Sequence, residues 1–279
     1  MGILTINEFK DLSADDKHLV LVDARGGADA WDRYKSGHAK GAIFADLETD
    51  LSEKGADAAH GGRHPLPSPE KFSAYISAIG IQPSSTVVVY DDKNGANAAA
   101  RLWWMLKSAG HEAVYVISGG IQAVAAAGYE VVKGEGEQQQ SSDYRFKEWI
   151  WPVVTMHEVA EAASKDDYLV IDVRENYRYR GESEPIDLVA GHIPGAVNVP
   201  YTTNLDDKGE FLPTSVLKKK YTTALDGRDP EKVIVHCGSG VTACHTLLAL
   251  SDAGLGNASL YVGSWSEWSR NENSIATEN

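Results

Sequence analysis

The chain has 279 residues, 43% of them apolar, which is enough to build two hydrophobic cores rather than one. Acidic residues outnumber basic ones by 40 to 26, and the formal charge of -14 would repel phosphate backbones and anionic lipid headgroups, so neither nucleic acid nor a membrane surface is an expected partner. Two cysteines, Cys237 and Cys244, are too few for a disulfide framework and point to a reducing compartment; with no basic stretch followed by an apolar run over Met1 to Glu8, a cytoplasmic protein is expected.

In chain order, a β-branched run from Leu19 to Val22 leads into Asp23-Ala24-Arg25, followed by Gly37-His38-Ala39-Lys40-Gly41-Ala42. A second strand is predicted over Thr86–Tyr90, an amphipathic helix over Ala98 to Ala109, and a further strand at Tyr115-Val116. Lys133 to Asp143 carries Gly134, Gly136, glutamines and serines but too little apolar content to pack, and reads as a linker. Then the series repeats. Leu169 to Ile171 leads into Asp172-Val173-Arg174, followed by Gly191-His192-Ile193-Pro194-Gly195-Ala196; Val233 to His236 matches Thr86 to Tyr90, a helical pattern spans Val241 to Ala253, and Tyr261-Val262 matches Tyr115-Val116. Strands alternating with helices predict an α/β fold in two copies, each a mainly parallel sheet flanked by helices. The boundaries expected are residues 1–132 for the first domain, 133–152 for the linker and 153–279 for the second domain.

The copies differ in length at two places. The second is longer around Tyr177 to Val189, and the first between Ala45 and Pro69. Insertions on a duplicated scaffold sit in loops, where function is added, so both are expected to border one cleft.

The chemistry falls on Val233-Ile-Val-His-Cys237-Gly-Ser-Gly-Val-Thr-Ala243, a buried strand running through a two-glycine loop into a helix. Gly238 and Gly240 allow backbone angles that turn successive amides inward, and the helix N-terminus adds partial positive charge at the same point. A thiolate there is stabilised and nucleophilic, and a persulfide anion would accept the same hydrogen bonds. The plain alternative is that Cys237 is a small buried hydrophobe closing a strand. Its counterpart in the first copy is Asp91, which cannot act as a sulfur nucleophile, so one copy is expected to be catalytic and the other supportive. Cys244, inside the helix, reads as a packing residue. A phosphatase loop would need an arginine where Ala243 stands, to fork the phosphoryl oxygens.

Taken together, Cys237-Gly238-Ser239-Gly240-Val241-Thr242, the doubled Gly-His-x-x-Gly-Ala, the paired Asp-x-Arg and Gly263-Ser264-Trp265-Ser266-Glu267-Trp268 resemble the tandem rhodanese and 3-mercaptopyruvate sulfurtransferase family over nearly the whole chain. The resemblance implies two rhodanese-like domains, the second active through a persulfide on Cys237, with Gly238, Gly240, Val241 and Thr242 lining the donor. The neutral loop after Cys237 is similar to the mercaptopyruvate branch, whereas a thiosulfate-using rhodanese has basic residues there. In the mercaptopyruvate branch Ser239 would work with His64 and Asp46, although His64 read alone is an exposed loop histidine and Asp46 a turn or cap. Arg178 matches the arginine that holds the donor's anionic group. The second arginine of that branch follows Glu-Pro; here Glu184-Pro185 is followed by Ile186, so half of the clamp is missing and Arg180 or Arg63 is left to compensate.

Asp23, Arg25, Asp172, Arg174, His38 and His192 occur in both copies and read as structural; Trp103, Trp104, Trp265 and Trp268 read as interface or core. The implied partners are a small anionic sulfur donor and a cyanide, small-thiol or thioredoxin-like acceptor. No cofactor is called for, and no His and Cys cluster has metal-ligand spacing. Thiosulfate:cyanide sulfur transfer and a non-catalytic persulfide carrier or redox sensor are the alternative functions.

Overall fold

A computed structural model describes residues 2–16, 18–136 and 139–278. The chain forms two compact units: Met1–Glu53, Pro67–Ile150 and Asp207–Phe211 make the first, and Lys54–Leu66, Trp151–Asp206 and Leu212–Asn279 the second. Each unit is α/β.

In the first unit the strands are β1 (Ile3–Leu4), β2 (Leu19–Arg25), β3 (His38–Ala39), β4 (Ile43–Asp46), β5 (Thr86–Tyr90), β6 (Val114–Ile117) and β7 (Val131–Val132). Five of them form a parallel sheet in the order β1-β6-β5-β2-β4, and β3 pairs antiparallel with β7 beside it. Val87, Val88, Val89 and Tyr90 of β5 are fully buried, as central strands covered on both faces must be. The second unit has β8 (Val153–Val154), β9 (Leu169–Asp172), β10 (Val197–Asn198), β11 (Val233–His236) and β12 (Ser259–Tyr261), again parallel, in the order β10-β9-β11-β12-β8. The register repeats too, since Asp23 pairs with Tyr90 and Asp172 with His236.

Local signals recur with the same chemistry. The first helix of each unit opens on a capping box, Thr5 with Glu8 and Thr155 with Glu158, which satisfies amides that a helix start leaves over. Arg25 Nη2 donates to Asp23 at 2.6 Å and to Gly37 O at 2.8 Å; Arg174 Nη2 donates to Asp172 and to Gly191 O, each at 2.6 Å. His38 stacks on Tyr34 at 3.9 Å and His192 on Tyr179 at 3.7 Å, each with Nδ1 within hydrogen-bonding distance of that tyrosine's carbonyl. In both units these groups bind a loop to a sheet. Trp265 and Trp268 pack in the core of the second unit with Val170 and Ile234.

Two departures concern the segments between elements. The expected linker is not a bare tether: Tyr144 is buried, Phe146 meets Phe72 edge-on at 6.0 Å, Trp149 lies 5.5 Å from Phe72, and the Ile150 amide donates to Ser108 O at 2.8 Å. After its polar first half come three aromatic residues that cover the helices Pro69–Ala78 and Ala98–Ser108 of the first unit. Glu137 and Gln138 of that linker lie outside the described residues. Residues 54–66, placed by chain order in the first domain, belong to the second unit, where the Gly61 amide donates to Glu267 at 2.7 Å and Asn271 donates to Ala59 O at 3.0 Å. No helix among the described residues is long and apolar enough to cross a membrane.

Candidate functional site

β11 ends at His236, and Cys237 follows with only 1% of its surface exposed. The loop is fixed from one side by the short helix Ser264–Trp268. The Trp265 amide donates to Cys237 O at 3.0 Å, the Ser266 amide donates to Gly238 O at 2.8 Å, and the Cys237 amide donates to Ser264 Oγ at 3.2 Å. In a trans peptide the carbonyl and the next amide point in opposite directions. With the carbonyls of 237 and 238 both tied to that helix, the amides of Gly238 and Ser239 face the other way. Those two and the Val241 amide have no acceptor among the described residues. The helix Thr242–Asp252 then begins, its N-terminus at the same loop.

The two glycines have different duties. Gly240 adopts φ +73°, and a Cβ there would lie 2.4 Å from Val262 O, so this position admits only glycine. Gly238 does not use a left-handed angle, contrary to the expectation. Its bareness makes room instead: a Cβ would meet Arg63 Nη2 at 3.1 Å, Arg178 Nη2 at 3.4 Å and Asp187 Oδ2 at 3.5 Å.

Ser239 and His64 are brought together, Oγ and Nδ1 standing 2.8 Å apart, both largely buried. His64 is therefore not an exposed loop histidine. Asp46 belongs to the first unit, where it closes β4 and its Oδ1 accepts the Glu48 amide at 2.8 Å. Val241 and Thr242 carry the turn into the helix, and Cys244 Sγ sits 3.3 Å from Gly240 O, packed in the helix interior.

Arg178, 6% exposed, is held by Glu184 at 2.8 Å, by Glu175 at 3.4 Å and by Asp187 at 3.5 Å. Burial opposes the charge of Glu184, but Arg178 and the amides of Ile186 and Asp187 hold its carboxyl below the usual range. Arg180 points away to an ion pair with Glu182, whereas Arg63 reaches the loop: its Nε donates to Asp187 Oδ1 at 3.0 Å. Arg270 Nη1 reaches the same oxygen at 3.2 Å. Asp187 and Arg270 were not legible as site residues. In the sequence Asp187 lies between Ile186 and Leu188, a pattern that turns the acid outward; here the apolar pair is exposed and the acid buried, because three guanidinium groups meet it.

The equivalent loop of the first unit is occupied from within. Asp91 O accepts the Ile121 amide at 2.9 Å, as Cys237 O accepts that of Trp265, while the Asp91 carboxylate accepts the amides of Lys93, Gly95, Asn97 and Ala99 at 2.7–3.1 Å. Burial pushes this carboxyl up and the four amides pull it down, with burial the larger influence.

A buried cysteine at the start of a loop whose amides lack acceptors among the described residues, set in one of two matching α/β units, suits a thiol-based transferase. The rhodanese-like domain family matches residues 5–127 and again residues 155–271. A probable 3-mercaptopyruvate sulfurtransferase of Pseudomonas aeruginosa is 41% identical, covering 92% of this chain and 89% of its own. A putative thiosulfate sulfurtransferase of Mycobacterium tuberculosis is 36% identical over 96% of this chain and 93% of its own. The solved 3-mercaptopyruvate sulfurtransferase from Leishmania major superposes with a TM-score of 0.82 at 33% identity, over 96% of this chain and 74% of that one. This chain belongs to the rhodanese-like family, with two copies of the domain.

Proposed function

We propose that Cys237 receives a sulfur atom from 3-mercaptopyruvate and passes it, as a persulfide, to a thiophilic acceptor. The chain is a sulfurtransferase. The observation that carries the reading is the contrast between the two loops: the amides of Lys93 and Gly95 donate to the Asp91 carboxylate in one unit, whereas those of Ser239 and Val241 beside Cys237 in the other have no acceptor among the described residues. They suit a thiolate and, after transfer, a persulfide anion.

In the first half-reaction the Cys237 thiolate attacks the donor's sulfur. The S–S bond forms as the donor's C–S bond breaks, and the pair of that bond passes into the enolate of pyruvate. Arg178 holds the donor's carboxylate, while Ser239, backed by His64, hydrogen-bonds the carbonyl oxygen where the enolate's charge develops. The Ser239–His64 pair favours a ketone-bearing donor. In the second half-reaction cyanide, a small thiol or a thioredoxin-like protein takes the outer sulfur. Thiosulfate, with sulfite as the leaving group, is the second donor, and a relative named for it supports that arm. A reducing, cytoplasmic setting suits two cysteines that form no disulfide.

Donor treatment should add the mass of one sulfur atom at Cys237, followed by ping-pong turnover with cyanide. Loading without turnover would instead mark a persulfide carrier, and no loading would reject both. Comparing kcat/KM for 3-mercaptopyruvate and thiosulfate assigns the donor, with the former expected to be higher.

A further inference from the structure

The proposed mechanism gives no task to Asp187, whose side chain is wholly buried although it lies between two exposed apolar residues. Its Oδ1 is anchored by Arg63 Nε at 3.0 Å and Arg270 Nη1 at 3.2 Å. Among the described residues, its Oδ2 makes only long contacts, 3.4 Å to Arg63 Nη2 and 3.5 Å to Arg178 Nη2. Those two nitrogens and Oδ2 all lie 3.1–3.5 Å from the point where a Gly238 side chain would begin, one residue beyond Cys237. The place where the donor's anionic group meets its arginines therefore already holds a fixed carboxylate oxygen.

We propose that Asp187 sets donor selectivity, its buried carboxylate favouring a singly charged donor over a doubly charged one at the Arg63–Arg178 pair. The inference rests on the reading of Cys237 as the sulfur acceptor and of Arg178 as the donor's anchor. Coulomb energy scales with the product of charges, so a fixed negative charge opposes thiosulfate, a dianion, about twice as strongly as it opposes 3-mercaptopyruvate, a monoanion. The site is largely removed from water, so salt screens the difference weakly. Asp187 also aligns both guanidinium groups, which makes the loss of its charge different from the loss of its shape.

Asp187→Asn keeps the shape and removes the charge. In a ping-pong scheme kcat/KM for the donor does not depend on the acceptor, so the two donors compare directly with cyanide as the common acceptor. The ratio of kcat/KM for thiosulfate to that for 3-mercaptopyruvate should rise by on the order of tenfold in Asp187→Asn. It should stay near the wild-type ratio in Asp187→Glu, even where both rates fall. A ratio that is unchanged or lowered in Asp187→Asn overturns the proposal, including the case in which both donors decline alike, which is what a purely structural role gives. Should Asp187→Asn not fold, the unaltered protein decides: pyruvate should compete with the donor more tightly than sulfate, and the reverse order overturns the proposal. If the unaltered protein loads sulfur from neither donor, the functional reading itself fails, and that outcome is distinct from an unchanged ratio.

Discussion

Asp91 and Cys237 hold the same place in two parallel sheets, each directly after the residue that pairs with a buried aspartate on the neighbouring strand, Tyr90 with Asp23 and His236 with Asp172. Each has its carbonyl tied to an amide at the start of the following short helix, that of Ile121 or Trp265. What differs is the occupant. In the first unit the side chain is itself an anion and takes four amides, so the loop is satisfied and inert. In the second the side chain is a thiol, leaving amides to receive an anion that chemistry must supply. In the reading proposed above, the corresponding loop is a structural clasp in one copy and a reaction site in the other.

Removing both side chains breaks the comparison open. Cys237→Ala should abolish sulfur transfer and change unfolding free energy by no more than about 1 kcal/mol, since only a small buried group is lost. Asp91→Ala should do the reverse, costing on the order of 3 kcal/mol as several buried amides lose one shared acceptor, with transfer retained while the protein stays folded. Denaturant titration together with cyanide-coupled turnover of both variants checks the pair. Equal stability losses would mean that the two loops are filled alike.

Ser239 sharpens the contrast within the second unit, because its partner His64 arrives on a segment that the first copy carries in sequence. If the pair serves the donor's carbonyl, Ser239→Ala should lower kcat/KM for 3-mercaptopyruvate by on the order of a hundredfold, and that for thiosulfate, which has no carbonyl, by less than about tenfold. Equal losses with the two donors would place Ser239 outside that role.

The repeat, the strands and the strand–loop–helix around Cys237 were legible because they are local: apolar runs, glycines and a cysteine in sequence order state them directly. Val233–His236 and Thr86–Tyr90 appear as strands with the ends expected of them. What was not legible depends on partners far away in the chain. Residues 54–66 pack with the second unit through Glu267, Ser266 and Asn271, more than two hundred positions on. Asp187 turns inward only because Arg63, Arg178 and Arg270 converge on it, and alternation with Ile186 and Leu188 argues for the opposite face. The substitution at Ile186 marked a gap in the anion clamp, while the geometry that puts Arg63 Nη2 beside Gly238 had no sequence signature.

The smallest effect expected concerns the residue before each occupant. His236 is fully buried, and burial lowers its pKa below the ordinary 6.5, with Asp172 3.8 Å away opposing the shift only in part. The unfolded chain then takes up a proton near pH 6.5 that the folded protein refuses until a lower pH. Stability from this residue is therefore complete above about pH 6.5 and declines as the pH falls from there toward the depressed folded value. Tyr90, its counterpart, stays protonated throughout, because burial moves its pKa far above the ordinary value. His236→Gln should accordingly flatten the slope of unfolding free energy against pH just below 6.5, measured by denaturant titration across that window, and leave the slope above it as in the wild type. A slope that His236→Gln does not alter would assign the acid sensitivity of the second unit to its buried carboxylates, where Asp172, held below the ordinary carboxyl range by Arg174 against the effect of burial, acts only at lower pH.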